Sequence, residues 1–175
     1  LTQMWNRQGI LAILEKELEA AHLSGTTLSI QIVDIDHFKA INDGCGHVAG
    51  DAVLRGVAQR LRASIRQSDA VGRLGGDEFL LIHPGADQPL AAKLAMRGCK
   101  AVAQQPIPLD ATGVPQVTVT LSAGVETLDP SLPAKVHELL ARADAALYRA
   151  KKAGRNRVEI GSPVAKGAAA SRGQG

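Results

Sequence analysis

The chain has 175 residues, is 45 % hydrophobic and carries a formal net charge of +3, which suits one domain with an adequate core. No run approaches the ~20 apolar residues needed to span a bilayer, and no secretory signal is visible, so a cytoplasmic location is expected. The basic balance alone would suggest nucleic acid, but aromatics are only 2 %, too few for the stacking platforms that single strands or RNA require.

Ile10, Leu11, Leu14, Leu18 and Ala21 recur at helical spacing and predict an opening helix that Gly25 stops. Leu28, Ile30 and Ile32 alternate with Ser29, Gln31 and Val33, a strand ending at Asp34. A short helical turn from about Asp36 leads into Asn42-Asp43-Gly44, a loop signal. Gly50-Asp51 is expected to open a helix whose Leu54, Val57, Ala58, Leu61 and Ile65 form one apolar stripe. Cys45 and Cys99 belong to no metal-spaced cluster and read as free thiols.

Between Asp69 and His83 two apolar runs flank Arg73-Leu74-Gly75-Gly76-Asp77-Glu78-Phe79. A Gly-Gly pair between strand-like runs signals a hairpin, because glycine reaches the positive φ of a tight two-residue turn. Adjacent acids on a hairpin tip repel each other and serve no core. They suit a divalent cation, which prefers hard oxygen ligands, although Gly, Asp and Glu are also common in solvated turns. Pro84-Gly85 closes the hairpin.

A third helix follows from about Gln88 to Gln104, with a stripe through Leu90, Leu94 and Val102. Pro106, Pro108, Gly113 and Pro115 mark a loop. Val117, Val119 and Leu121 alternate with Thr118 and Thr120, predicting a fourth strand. Pro133 to Lys152 is a helix with Val136, Leu139, Leu140, Ala143 and Leu147 on one face and Gly154 as its stop. Arg157 to Ile160 is a short final strand. Residues 161–175 lack periodicity and read as a disordered tail or linker, leaving 1–160 as the domain. The class is α+β: a β-α-β-β-α-β, ferredoxin-like sheet with helices packed around it, laid across one face in this reading. In that layout the strand starting at Asp77 lies antiparallel beside the strand ending at Asp34, which brings distant acids together.

The hairpin string resembles the signature of GGDEF domains, the diguanylate cyclases that make cyclic di-GMP from two GTP. Asn6-Arg7 after Leu1-Thr2, Asp34-Ile35-Asp36-His37-Phe38-Lys39 with Asn42-Asp43, and Gly46-His47 with Gly50-Asp51 match that family in order and spacing. So do Ser122-Ala123-Gly124-Val125, Ala146-Leu147-Tyr148, Ala150-Lys151 and Gly154-Arg155-Asn156. The fold that the resemblance implies is that of the nucleotide cyclases. Gln3 stands where the family usually has Gly, and Cys45 where an aromatic is usual. Because the chain opens without Met inside a family motif, it is expected to be cut from a longer protein with an upstream sensory or regulatory domain.

The resemblance implies Mg²⁺, or Mn²⁺ in its place, held by Asp34, Asp77 and the carbonyl of Ile35. Asp77 is the implied base toward the attacking ribose hydroxyl, and Glu78 is a second acid. Backbone N–H groups at His37 and Phe38, with the turn Gly75-Gly76, would face the triphosphate, while Lys39, Lys151 and Arg155 add charge. Lys151 and Arg155 would equally complement a helix C-terminus. Asn42 and Asp51 match the guanine-reading pair, and a pocket that hydrogen-bonds one base rejects another; His47 would line it.

Arg66-Gln67-Ser68-Asp69 resembles the family's Arg-x-x-Asp product-binding inhibitory site, its aspartate accepting from the base and Arg97 closing it as a second arginine. Catalysis would need a homodimer, each GTP's 3′-hydroxyl attacking the other's α-phosphate. Two rivals stand beside this. One is a non-catalytic GTP-binding module regulating an attached domain such as a phosphodiesterase, although Asp34, Lys39, Asn42, Asp51 and Asp77 are all present. The other is a nucleic-acid binder, which rests on charge alone and is not expected.

Overall fold

The computed structural model describes residues 4–109 and 115–161. Leu1-Thr2, Gln3, Gly113 and the tail from 162 onward lie outside the described residues. The elements run α1 (Arg7–Ser24), β1 (Leu28–Ile35), α2 (Phe38–Cys45), α3 (His47–Ser64), β2 (Ala70–Gly75), β3 (Glu78–Pro84) and α4 (Gln88–Ala103). After them come β4 (Ile107–Pro108), β5 (Gln116–Val117), β6 (Leu121–Leu128), α5 (Val136–Lys152) and β7 (Val158–Ile160). The main sheet has the order β2-β3-β1-β6-β7, antiparallel except for the β6–β7 edge pair. Its first four strands are the split β-α-β-β-α-β arrangement.

Local chemistry sets the helix ends. The Asn6 side chain accepts from the Gly9 N–H at 2.9 Å to start α1, and Gly25 ends it in the left-handed conformation. Asp87 caps α4 in the same way through the Leu90 N–H. At α5 the Glu138 side chain accepts from the Lys135 N–H at 2.9 Å.

Several expectations need correction. Helices cover both faces of the sheet rather than one. Leu28, Ile30 and Ile32 pack with Ile10, Leu14, Leu139 and Leu147 of α1 and α5, whereas Val33 and Ile35 pack with Val53, Val57 and Leu61 of α3. Every residue of β1 is therefore buried, Ser29 and Gln31 included. The fourth main strand is Leu121–Leu128: of the expected Val117–Leu121 stretch, Leu121 opens it opposite Ile35, whereas Val117 pairs with β4 in a separate two-stranded sheet. A strand flanked by strands and covered on both sides need not alternate, so Ser122-Ala123-Gly124 hides it.

The loop expected at Asn42-Asp43-Gly44 is instead the second half of α2, and α3 begins at His47, not at Gly50-Asp51. The break falls on Gly46, whose φ of 82° a side chain would resist. Gly161, placed in the tail by composition, is buried and donates its N–H to the Val125 carbonyl at 2.6 Å.

Candidate active site

Antiparallel pairing puts Asp34, near the end of β1, opposite Glu78, the first residue of β3. The Ile35 N–H donates to the Asp77 carbonyl at 3.3 Å, so the backbone between the two acids is joined as well. The turn itself is shifted by one residue from expectation. A register irregularity between Arg73 and Gly75 leaves Gly75 paired with Glu78, and Gly76-Asp77 becomes the tip. Gly76 takes φ 49° there, and Asp77 sits in the turn rather than in the strand.

Two arginines without an assigned role in the sequence reading brace that tip. Arg73 donates from Nε and Nη2 to the Gly76 carbonyl at 2.8 and 2.6 Å, and Arg7 Nη1 donates to the Leu74 carbonyl at 3.2 Å. The start of the chain is bound to the same strand, with the Arg73 N–H donating to the Trp5 carbonyl at 2.9 Å. Arg7 belongs to the Asn6-Arg7 pair, and that pairing was the available signal.

From α5, Lys151 reaches the acids, its Nζ 2.7 Å from Asp34 Oδ2. Burial raises the pKa of Asp34; Lys151 opposes the rise, and the charges of Asp77 and Glu78 add to it. One ammonium thus leaves the acidic corner short of positive charge. Among the described residues no three His, Cys, Asp or Glu side chains form a ready cage for a metal. Two carboxylates with a backbone carbonyl suit Mg²⁺, which completes its shell with water and substrate phosphate. Asp34, Asp77 and the Ile35 carbonyl fit such an ion.

His37 precedes α2 with φ 59° and is exposed, and Phe38 opens the helix. The N–H groups of a helix's first turn have no partner within the helix and are suited to oxyanions. Lys39 is exposed on that turn. Further along α2, Asn42 is seated against Gly50 of α3: a Cβ on Gly50 would overlap Asn42 Oδ1 and lie 3.3 Å from Phe38 Cζ. Asp51 is exposed next to that seat, and His47 is exposed at the start of α3. Arg155, also exposed, takes φ 63° in the turn after α5.

A second locus lies at the far end of α3. Arg66 and Arg97 line a groove of about 460 Å³ with Arg60, whose guanidinium is tied to the Val102 and Pro106 carbonyls at 2.8 Å each. The Asp69 side chain is fully buried and does not face this groove as a free acceptor. Its oxygens accept from Arg66 N at 3.0 Å, Nε at 3.1 Å and Nη2 at 2.8 Å, and Oδ2 lies 3.1 Å from Nδ1 of the buried His83. Burial by itself would raise the Asp69 pKa, but the hydrogen bonds from His83 and Arg66 outweigh it and hold the carboxyl well below the usual range. Sequence reading found the Arg66–Asp69 pair but not His83, because nothing marks a buried strand histidine as its partner.

The chain is similar to known proteins of one family. The family model for the diguanylate cyclase GGDEF domain matches residues 1–157. Diguanylate cyclase DgcP of Pseudomonas aeruginosa is 39 % identical over 160 residues, covering 91 % of this chain and 23 % of that protein. The probable diguanylate cyclase DgcC of Escherichia coli K12 is 38 % identical over 160 residues, covering 91 % of this chain and 42 % of that one. The chain therefore spans less than half the length of these curated relatives. The crystal structure of the GGDEF domain of DgcB from Caulobacter crescentus, in complex with c-di-GMP, superposes with a TM-score of 0.85 at 33 % identity, over 91 % of this chain and 89 % of that one.

Proposed function

This chain belongs to the diguanylate cyclase GGDEF domain family, and from that membership we propose that it condenses two GTP into cyclic di-GMP with release of pyrophosphate. The observation that carries the reading is the meeting of Asp34 with Asp77 and Glu78 under the Lys151 ammonium. Attack of a ribose hydroxyl on an α-phosphate needs positioning and charge stabilisation more than covalent chemistry. Asp34, Asp77 and the Ile35 carbonyl would hold Mg²⁺, which would supply charge neutralisation on the α- and β-phosphates.

The chain's own residues take the remaining roles. His37 and Phe38 N–H groups with Lys39, Lys151 and Arg155 bind the triphosphate. Asn42 and Asp51 read guanine, with His47 at the edge of that pocket. Asp77 accepts the proton of the incoming 3′-hydroxyl, with Glu78 beside it. Since one domain holds one GTP, two copies act face to face as a homodimer, and the rate per chain rises with protein concentration. Arg66 and Arg97 in their groove bind the product and lower activity, with Asp69 holding Arg66 in place. No described helix is long and apolar enough to cross a membrane.

Purified protein supplied with GTP and Mg²⁺ should release pyrophosphate and a product that co-elutes with cyclic di-GMP. Asp77→Ala should abolish both. Absence of pyrophosphate from the wild-type dimer, or an Asp77→Ala variant as active as wild type, would overturn the assignment.

A further inference from the structure

Asp36 lies between the Ile35 and His37 positions, yet it turns away from the open site and is only 4 % exposed. A carboxylate buried to that degree is costly unless donors fill its lone pairs. Thr120 Oγ1 donates to Oδ2 and Ser122 Oγ to Oδ1, each at 2.6 Å, and the Asn156 N–H donates to Oδ2 at 3.0 Å. The Asp36 N–H in turn donates to the Thr120 carbonyl at 3.0 Å. One side chain thereby joins the segment before α2, the start of β6 and the turn after α5.

The bond to Asn156 is the informative one. Arg155 and Asn156 have φ of 63° and 48°, two successive non-glycine residues in a conformation that L-residues disfavour. On the other side of Asp36, His37 is in the same region with φ 59°. Such strain persists only where surrounding bonds over-determine it, and it gathers at ligand clamps. The Asn156 N–H to Asp36, with the Arg155 N–H to the Ala150 carbonyl at 3.0 Å, holds the turn in place.

We propose that Asp36 is a positioning residue for the substrate triphosphate. It fixes the Arg155–Asn156 turn against the His37–Phe38 segment, so that the Arg155 cation and the α2 N–H groups address one polyanion together. The proposal rests on reading this site as the GTP site. Its physical gain is preorganisation: an exposed arginine on a loose turn would have to be ordered at every binding event, whereas one on a pinned turn would not.

A double-mutant cycle tests it, with a GTP analogue carrying a methylene between the α- and β-phosphates and Mg²⁺, read by calorimetry on variants first shown to be folded by thermal melts. Asp36→Asn and Arg155→Ala should each weaken binding by about tenfold, the scale of one lost charge-assisted hydrogen bond. The double variant should be no weaker than Arg155→Ala within about twofold, since Asp36 acts through that arginine. A purely structural Asp36 would give losses that multiply, or a folded Asp36→Asn that binds as wild type; either overturns the proposal. Where Asp36→Asn does not fold, Thr120→Val takes its place, since it removes a donor that holds the Asp36 carboxylate while keeping the side chain's shape. An affinity loss that disappears in the Arg155→Ala background supports the proposal, and unchanged affinity overturns it. Wild-type protein that fails to bind the analogue defeats the GTP-site reading and this proposal together. A wild type that binds but gives an additive cycle defeats the proposal alone.

Discussion

Lys151 Nζ and Asp34 Oδ2 lie 2.7 Å apart, a helix-borne cation resting on a strand-borne acid that the family reading assigns to a metal. The ammonium stands where positive charge is wanted. With a divalent ion and a triphosphate at the proposed site, it would compete with the ion for Asp34 and attract the triphosphate. Lys151→Met should bind the GTP analogue about tenfold more weakly. The same variant should bind Mn²⁺ more tightly than wild type when no nucleotide is present. Calorimetry reads both, and two changes in the same direction would refute the competition.

Gly50 offers a cleaner probe of base recognition. Gly50→Ala introduces a Cβ that overlaps Asn42 Oδ1 and so evicts the amide from its seat against α3. Alanine is the better helix former by ~1 kcal/mol, so overall stability should hold or rise. The KM for GTP should nevertheless increase by about tenfold, the scale of one to two lost hydrogen bonds, and discrimination against ATP should fall. Steady-state kinetics with both nucleotides, alongside a thermal melt, check this; a falling Tm with unchanged KM would contradict it.

At Gly124 the backbone of α5 lies directly on β6: a Cβ there would overlap the Ala143 carbonyl and the Leu147 N–H. Gly124→Ala must push away the helix that carries Lys151. Overpacking of this kind costs about 1–3 kcal/mol. A lower Tm is expected together with weaker analogue binding, and a variant as stable as wild type would show that the helix can move aside freely.

The Asp69 carboxylate predicts a particular acid response. Burial would raise its pKa, but the bonds from His83 and Arg66 hold it well below the ordinary value. The folded chain binds fewer protons at this group than the unfolded chain does. Its contribution is therefore complete above about pH 4, the ordinary carboxylate value, and is lost as the pH falls from there toward the folded-state value. Asp69→Asn should lower Tm at pH 7 and flatten the decline of Tm below pH 4. Parallel curves for variant and wild type would exclude this role for the ion pair.

The groove between α3 and α4 gives a regulatory prediction. Arg66 is braced by Asp69 through both Nε and Nη2, whereas Arg97 is exposed on α4. Arg66→Ala should raise the cyclic di-GMP concentration needed for half inhibition by at least about tenfold, and Arg97→Ala by less, since a preordered guanidinium loses less entropy on binding. GTP turnover titrated with product reads both, and inhibition unchanged in Arg66→Ala would remove the groove from regulation.

Helical periodicity was sufficient for α1, α4 and α5, and the paired runs around Gly75-Gly76 were sufficient for the hairpin, because each shows a one-sided pattern or a turn that only certain residues make. It failed at β6, whose Ser122-Ala123-Gly124 is small and polar where two layers of helix press on the sheet. It failed also at Gly44, which α2 runs through, since one glycine weakens a helix without stopping it. Asp36, at the start of the expected helical turn, carried no role that the sequence assigned, because its donors lie more than eighty positions away at Thr120, Ser122 and Asn156.

The order of apolar and polar residues by itself determined α1, α4, α5, the first strand and the hairpin, and their split order is what brings the Asp34 strand beside the Asp77 turn, because one-sided periodicity and turn residues are local signals. Only the tertiary structure decided which partners the buried charges have: Lys151 on Asp34, His83 on Asp69, Asn156 on Asp36. Such pairings depend on angstrom-scale distances between segments remote in the chain, and no local pattern encodes those distances.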